Sequence, residues 1–177
     1  IRVTGLEIVG LVPQKAIVDA GKHYLTKQRR SLGIAESEIV KIAVKSMGLD
    51  DLKPFPPQEK IIEYVLEAED SAKKLVDLTC SGFAEETASE SPAPGGGSIS
   101  AYMGALGAAL AAMVANLSSH KAGWDERWEE FSDWAVKAQK LKDELLFLVD
   151  EDTNSFNKVM DAFGLPKESA EEKQIRS

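Results

Sequence analysis

Cysteine is nearly absent: Cys80 stands alone in 177 residues, so neither an internal disulfide nor a cysteine-based zinc spacing can form. That usage suits a reducing, cytoplasmic setting. Histidine is scarce as well, limited to His23 and His120. No run of Lys and Arg with interleaved aromatics occurs, and the net charge of −8 argues against general nucleic-acid binding. No lysine follows the one glycine run, which removes the G-x-x-x-x-G-K-[ST] nucleotide loop. A G-x-S-x-G nucleophile elbow is missing too. There is no signal peptide; the chain opens on Ile1 and stops in mid-helical pattern at Glu171–Ser177, as a segment cut from a longer polypeptide would.

What is there begins with an ordinary apolar fraction of 44%, enough to bury a core. The most informative stretch is Ser91-Pro92-Ala93-Pro94-Gly95-Gly96-Gly97-Ser98, followed by an uncharged segment from Ile99 to Leu117. Prolines stiffen the approach, glycines free the turn, and Ser98 stands where an N-cap belongs. The N–H groups of such a loop and helix start can hold a carboxylate or phosphate. Ser98 is therefore first a helix cap, second a ligand contact, and only last a nucleophile, because no acid–His pairing accompanies it. Ile99–Leu117 approaches the roughly 20 residues that span a bilayer. Its Ala and Gly content, the interruptions at Ser100, Tyr102 and Asn116, and the lack of basic anchors favour a buried helix of a soluble bundle.

Before that stretch, Ile8–Val12 is a short β-branched run that predicts a buried strand, with Pro13 opening a helix behind it. Ile17, Ala20, Tyr24 and Leu25 recur at helical spacing, and Glu36–Met47 repeats the pattern up to a stop at Gly48. Gln58–Leu66 predicts a short helix started by Pro57. Strand, helix, helix is α/β or α+β in character. The acidic Glu67–Asp70 carries no apolar anchor and is the expected linker, dividing a first part, 1–66, from a second, 71–177.

Everything after the linker is helical in pattern. Leu75, Val76 and Leu78 are core candidates, and Gly82 interrupts their helix. Leu106, Leu110, Met113 and Leu117 form an apolar stripe beside rows of Ala and Gly that let another helix approach closely. Trp124–Asp152 predicts one long amphipathic helix that Thr153–Phe163 can extend and Gly164-Leu-Pro166 ends. The second part is a helical bundle in outline.

Chemistry falls on few residues. Asp150 and Asp152 cannot share a helix face, but Asp152 lies on or beside the apolar stripe, where a carboxylate can carry a proton or bind N–H groups. The competing reading is a solvated acidic face. His120 follows the Ala/Gly helix as a cap or proton carrier, and Lys121 is a candidate anion partner.

Val3–Pro13, Gly48–Phe55 and Lys60–Tyr64 resemble the end of a formiminotransferase domain, with Leu6 where the usual pattern has Ser. Ser91–Ser98, the Ala/Gly helix, Leu148–Thr153 and Phe163–Pro166 resemble the front of a cyclodeaminase domain. In that order they resemble the bifunctional formimidoyltransferase-cyclodeaminase family over nearly the whole chain. The resemblance implies an α+β end of the transferase's C-terminal subdomain followed by part of an all-α cyclodeaminase bundle. It implies a folate-dependent enzyme of histidine breakdown. Such an enzyme moves a formimino group from formiminoglutamate to tetrahydrofolate, then closes the ring to methenyltetrahydrofolate and expels ammonia. Tetrahydrofolate, possibly polyglutamylated, is then the carrier, no metal is needed, and homo-oligomers are expected. The transferase's catalytic histidine belongs to a region absent here, so His23 inherits no role. Asp150, Asp152 and His120 become the candidate catalytic residues; Pro94, Gly95, Gly96, Gly97, Ser98 and Lys121 become the candidate folate contacts. The alternatives are a stand-alone methenyltetrahydrofolate cyclohydrolase and a non-catalytic helical interaction module.

Overall fold

The computed structural model describes residues 6–69 and 74–165. Seven α-helices occur among them: α1 Gln14–Lys27, α2 Glu36–Met47, α3 Pro57–Lys60, α4 Ile62–Glu69, α5 Cys80–Thr87, α6 Gly96–Ser119 and α7 Trp128–Gly164. The chain divides into two compact units, one of residues 1–72 with 108–141 and one of residues 73–107 with 142–177.

In the first unit α1 packs on α2 around a core of Ile17, Val40, Ala43, Val44, Leu49, Phe55 and Ile61. The two helices touch closely because Gly21 has no side chain: a Cβ there would lie 2.3 Å from the Ile39 carbonyl oxygen. Gly48 ends α2 at φ 67°, the left-handed conformation that glycine adopts without steric cost. Pro13 caps α1 rather than joining it, and Glu63 accepts the Gln14 N–H at 2.7 Å.

The strand expected over Ile8–Val12 does not form among the described residues. Val12 alone makes a parallel bridge, donating to the Lys60 carbonyl at 2.9 Å and accepting from the Ile62 N–H at 3.1 Å. A strand needs a partner along its length, and here only one rung is supplied; Val9 is 91% exposed. The same bridge draws Ile61 into extended geometry and splits the helix expected over Gln58–Leu66 into α3 and α4.

The loop before α2 is fastened within the same unit. Leu32 N–H donates to Ser132 Oγ at 2.9 Å, and Asn116 Nδ2 donates to the Gly33 carbonyl at 2.7 Å. Gly33 sits where any Cβ would lie 2.3 Å from Ala135.

In the second unit, Thr79 caps α5 by accepting the Gly82 N–H at 3.0 Å, so the helix starts at Cys80 and Gly82 does not interrupt it. Leu78 is exposed, and Phe83 carries the packing instead, its ring 5.0 Å from that of Tyr102. Gly104 brings α6 against α7, with room for only 3.3 Å between an added Cβ and Leu145.

The expected buried helix, α6, is covered on its small-residue side alone. Leu106, Leu110, Met113 and Leu117 are exposed, while Ala105, Ala112 and Ala115 are buried. Periodicity located an apolar face, but the burial falls on the small residues beside it. Among the described residues α6 is long and apolar enough to cross a membrane, and only 22% of its most apolar window is buried. On α7, Ala135, Ala138 and Val149 are buried while Leu141 and Leu148 are exposed.

Candidate active site

The proline–glycine stretch delivers the chain to α6 through a cis Ala93–Pro94 peptide, with Pro94 buried. The Gly95 carbonyl accepts the Ile99 N–H at 3.1 Å, and the helix starts at Gly96. Ser98 is thus the third residue of α6, not its N-cap. It is fully buried, and its neighbours come from α7.

Those neighbours define the site. Asp152 Oδ2 accepts the Ser98 N–H at 2.8 Å and lies 3.0 Å from Ser98 Oγ. The hydroxyl also reaches the Val149 carbonyl at 2.8 Å, so its one proton serves either acceptor. A helix start carries unpaired N–H groups and partial positive charge, and a carboxylate satisfies both. The anion expected at this helix terminus is therefore the chain's own Asp152. Gly97 makes room for it: a Cβ would lie 2.2 Å from Asp152 Oδ1.

Two cavities meet at this carboxylate. One, of about 240 Å³, is lined by Pro92, Ala93, Gly95, Gly96, Gly97, Asp152, Thr153 and Phe156. The other, of about 290 Å³, is lined by Gly97, Ala101, Leu148, Glu151, Asp152 and Ser155. Gly97 and Asp152 line both. With Oδ2 engaged by Ser98, Oδ1 is the oxygen placed to meet a ligand.

The structure brings Gly95, Gly96, Gly97, Ser98 and Asp152 together and gives Asp150 a different task. Asp150 Oδ1 accepts the Leu75 N–H at 2.6 Å, pinning the turn Leu75–Asp77 to α7. His120 and Lys121 belong to the other unit. His120 is exposed just past α6, and Lys121 Nζ lies 4.3 Å from the Trp124 ring centroid, itself stacked on Phe131. Asn154 and Asn157 are exposed. Sequence reasoning passed over Ala101, Thr153 and Phe156. The available signal was helical spacing: Phe156 is one turn beyond Asp152, and Ala101 nearly one turn beyond Ser98. Among the described residues no group of three or more His, Cys, Asp or Glu is arranged to hold a metal.

The formiminotransferase-cyclodeaminase family profile matches residues 79–177, more than half of the chain. The chain belongs to the formiminotransferase-cyclodeaminase family. A formiminotransferase-domain profile matches residues 1–67. The formimidoyltransferase-cyclodeaminase of Gallus gallus is 37% identical over 174 residues, covering 98% of this chain and 32% of that protein. Its counterpart in Mus musculus is 36% identical over 175 residues, covering 99% and 32%. The methenyltetrahydrofolate cyclohydrolase of Methylorubrum extorquens is 38% identical over 99 residues, or 56% of this chain and 48% of that protein. This family member thus spans about a third of the bifunctional relatives it matches, and its paired cavities lie inside the segment matched by the formiminotransferase-cyclodeaminase profile.

Proposed function

We propose that the chain is the junction segment of a bifunctional folate enzyme. It would transfer a formimino group from formiminoglutamate to tetrahydrofolate and then cyclodeaminate the product to methenyltetrahydrofolate and ammonia. One observation carries the second activity: a carboxylate, Asp152, held at a helix start between two cavities.

With the formimino group in its protonated amidinium form, ring closure asks for one mobile proton. The folate N10 attacks the formimino carbon and forms the new C–N bond. The N10 proton must then reach the departing amine, so that the old C–N bond breaks and ammonia leaves. Asp152 Oδ1 takes that proton from N10 and returns it to the amine, while Oδ2 stays on Ser98. Asp150, committed to Leu75, is the weaker candidate for this role.

The remaining assignments follow from the same reading. The transferase and cyclodeaminase parts join at residues 67–70, supported by profile matches ending at 67 and resuming at 79. Ile8–Val12 becomes a full strand of an α+β subdomain when the rest of a sheet pairs with it, its one bridge being the first rung. The exposed stripe of α6 is covered by protein in a homo-oligomer, not by lipid. The setting is cytoplasmic, folate and formiminoglutamate are the partners, nucleic acid is not, and the carrier is tetrahydrofolate without a metal. A stand-alone cyclohydrolase, favoured by the Methylorubrum relative, is disfavoured because residues 1–67 match the transferase domain.

The test is Asp152→Asn in the full-length protein, assayed for ammonia release and, separately, for formimino transfer. We expect ammonia release to fall at least about a hundredfold, the usual scale of a positioned proton carrier, with transfer unchanged. Full ammonia release in the variant would sink the assignment.

A further inference from the structure

The two cavities differ in character, and the substrate of the proposed cyclodeamination has the same division. Formiminotetrahydrofolate carries two ring systems, a bicyclic pterin and a benzoyl ring, joined through the atoms that react. The protein has two adjacent cavities that share Gly97 and Asp152 in their linings. At about 240 and 290 Å³, each is smaller than the roughly 300–1,000 Å³ that encloses a whole drug-sized ligand. Neither takes a folate entire, and each has room for one of its rings.

We infer that the Phe156 cavity holds the pterin and the Ala101–Leu148 cavity holds the benzoyl ring. The inference rests on the cyclodeaminase reading and names the residues that divide its substrate. Three features support this orientation. The first cavity, lined by the glycine loop, Asp152 and Thr153, is the more polar of the two, as a ring rich in N–H and C=O groups requires. Phe156, half exposed at 39%, offers that ring a flat apolar partner at the cavity edge. The second cavity sets Ala101 and Leu148 beside Glu151, Asp152 and Ser155 and is the more apolar of the two, suited to a benzoyl ring without edge donors. The anionic glutamate tail fits neither, because the Asp152 carboxylate borders both and Glu151 lines the second. With the rings so divided, N10 and the formimino carbon fall at the shared wall, beside Asp152 Oδ1.

The arrangement makes Phe156 and Ala101 specificity-determining residues with separable effects. Phe156 is exposed, so its truncation leaves the fold intact; Ala101 is part-buried on the α6 face that carries Gly97 and Gly104, and a thermal melt checks that Ala101→Phe folds. The experiment uses full-length protein and reads ammonia release from formiminotetrahydrofolate, with 6-methyltetrahydropterin, which lacks the benzoyl ring, as competitive inhibitor. Phe156→Ala is expected to raise KM about tenfold and weaken inhibition by the bare pterin by a similar factor, the scale of one aromatic stacking contact. Phe156→Tyr is expected to behave as the parent. Ala101→Phe fills the second cavity and is expected to raise KM at least tenfold while the bare pterin inhibits as before.

Equal loss of both ligands in Ala101→Phe, or unaltered KM in Phe156→Ala, would overturn the division of rings and leave the cyclodeaminase reading standing. Absence of ammonia release from the parent protein would overturn that reading itself, and the ring assignment with it.

Discussion

Asp152, on α7, holds the start of α6 by accepting the backbone N–H of Ser98, 54 residues away, at 2.8 Å. The contact joins two functions in one side chain. One oxygen completes a helix that would otherwise present orphan donors, and the carboxylate borders both cavities. The site is therefore only as well placed as the gap left by the missing Gly97 side chain. Gly97→Ala puts a methyl 2.2 Å from Asp152 Oδ1, inside any real contact, so the carboxylate must move. Ammonia release should fall at least about tenfold, because misplacing a reacting group by an ångström costs up to a hundredfold. Formimino transfer, measured on the same preparation, should not change.

Ser98 distinguishes positioning from nucleophilic chemistry. Its hydroxyl is fully buried between the Val149 carbonyl and Asp152. Ser98→Ala removes one buried hydrogen bond, a loss of about 1 kcal/mol, and leaves the backbone N–H on Asp152. The expected outcome is a modestly lowered Tm with cyclodeamination retained within a few-fold. A loss of activity as deep as that of Asp152→Asn would show the hydroxyl itself reacting.

These two contacts also mark what the sequence could and could not convey. Helix α2 with its Gly48 stop was legible because both signals are local, as was the long α7 with its end at Gly164. The Ala/Gly helix was legible as a helix, but not which of its faces is covered, since an apolar period says nothing of what packs there. Ile8–Val12 has the composition of a strand, yet strand formation depends on a partner that, among the described residues, only Ile61 supplies. Ser98 and Asp152 stood out as candidates from a glycine turn and a carboxylate beside an apolar stripe. Their pairing was not, because the contact spans 54 residues and no spacing rule reaches across it.

Asp150 supplies the control for Asp152. Its carboxylate accepts the Leu75 N–H at 2.6 Å, a structural contact. Asp150→Asn keeps a carbonyl acceptor in place and should leave both stability and ammonia release near the parent's. Asp150→Ala strands that N–H and should cost about 1 kcal/mol, read as a lower denaturation midpoint at unchanged slope. If Asp150→Asn abolished ammonia release, the proton role would pass to Asp150.

Tyr64 gives the first unit an alkaline limit. Burial, followed by its 2.9 Å hydrogen bond to Glu36, raises the phenol from 10.0 to about 12. The folded state therefore holds the phenolic proton more tightly than the unfolded chain. The contribution is whole below pH 10.0 and is lost as pH rises toward about 12. Tyr64→Phe should flatten stability over that window, and the difference between the two denaturation curves isolates it from other titrating groups. Identical pH dependence in the two proteins would refute the assignment.

The exposed stripe of α6 makes the last prediction. Leu110 is 60% and Leu117 67% exposed, with Met103, Leu106, Met113 and Val114 on the same helix. Apolar patches of this kind are rare on soluble monomers and mark surfaces that another protein surface covers. Buried packing of α6 uses Ala105, Ala112 and Ala115 instead, so charges on the stripe need not disturb the helix's own fold. Glutamate at both Leu110 and Leu117 in the full-length protein should preserve the circular dichroism spectrum and lower the assembly state in sedimentation, each buried leucine being worth about 2 kcal/mol of association. An unchanged sedimentation coefficient would remove this face from the proposed homo-oligomer. A collapsed helical signal would instead mean that the stripe is packed within a single polypeptide.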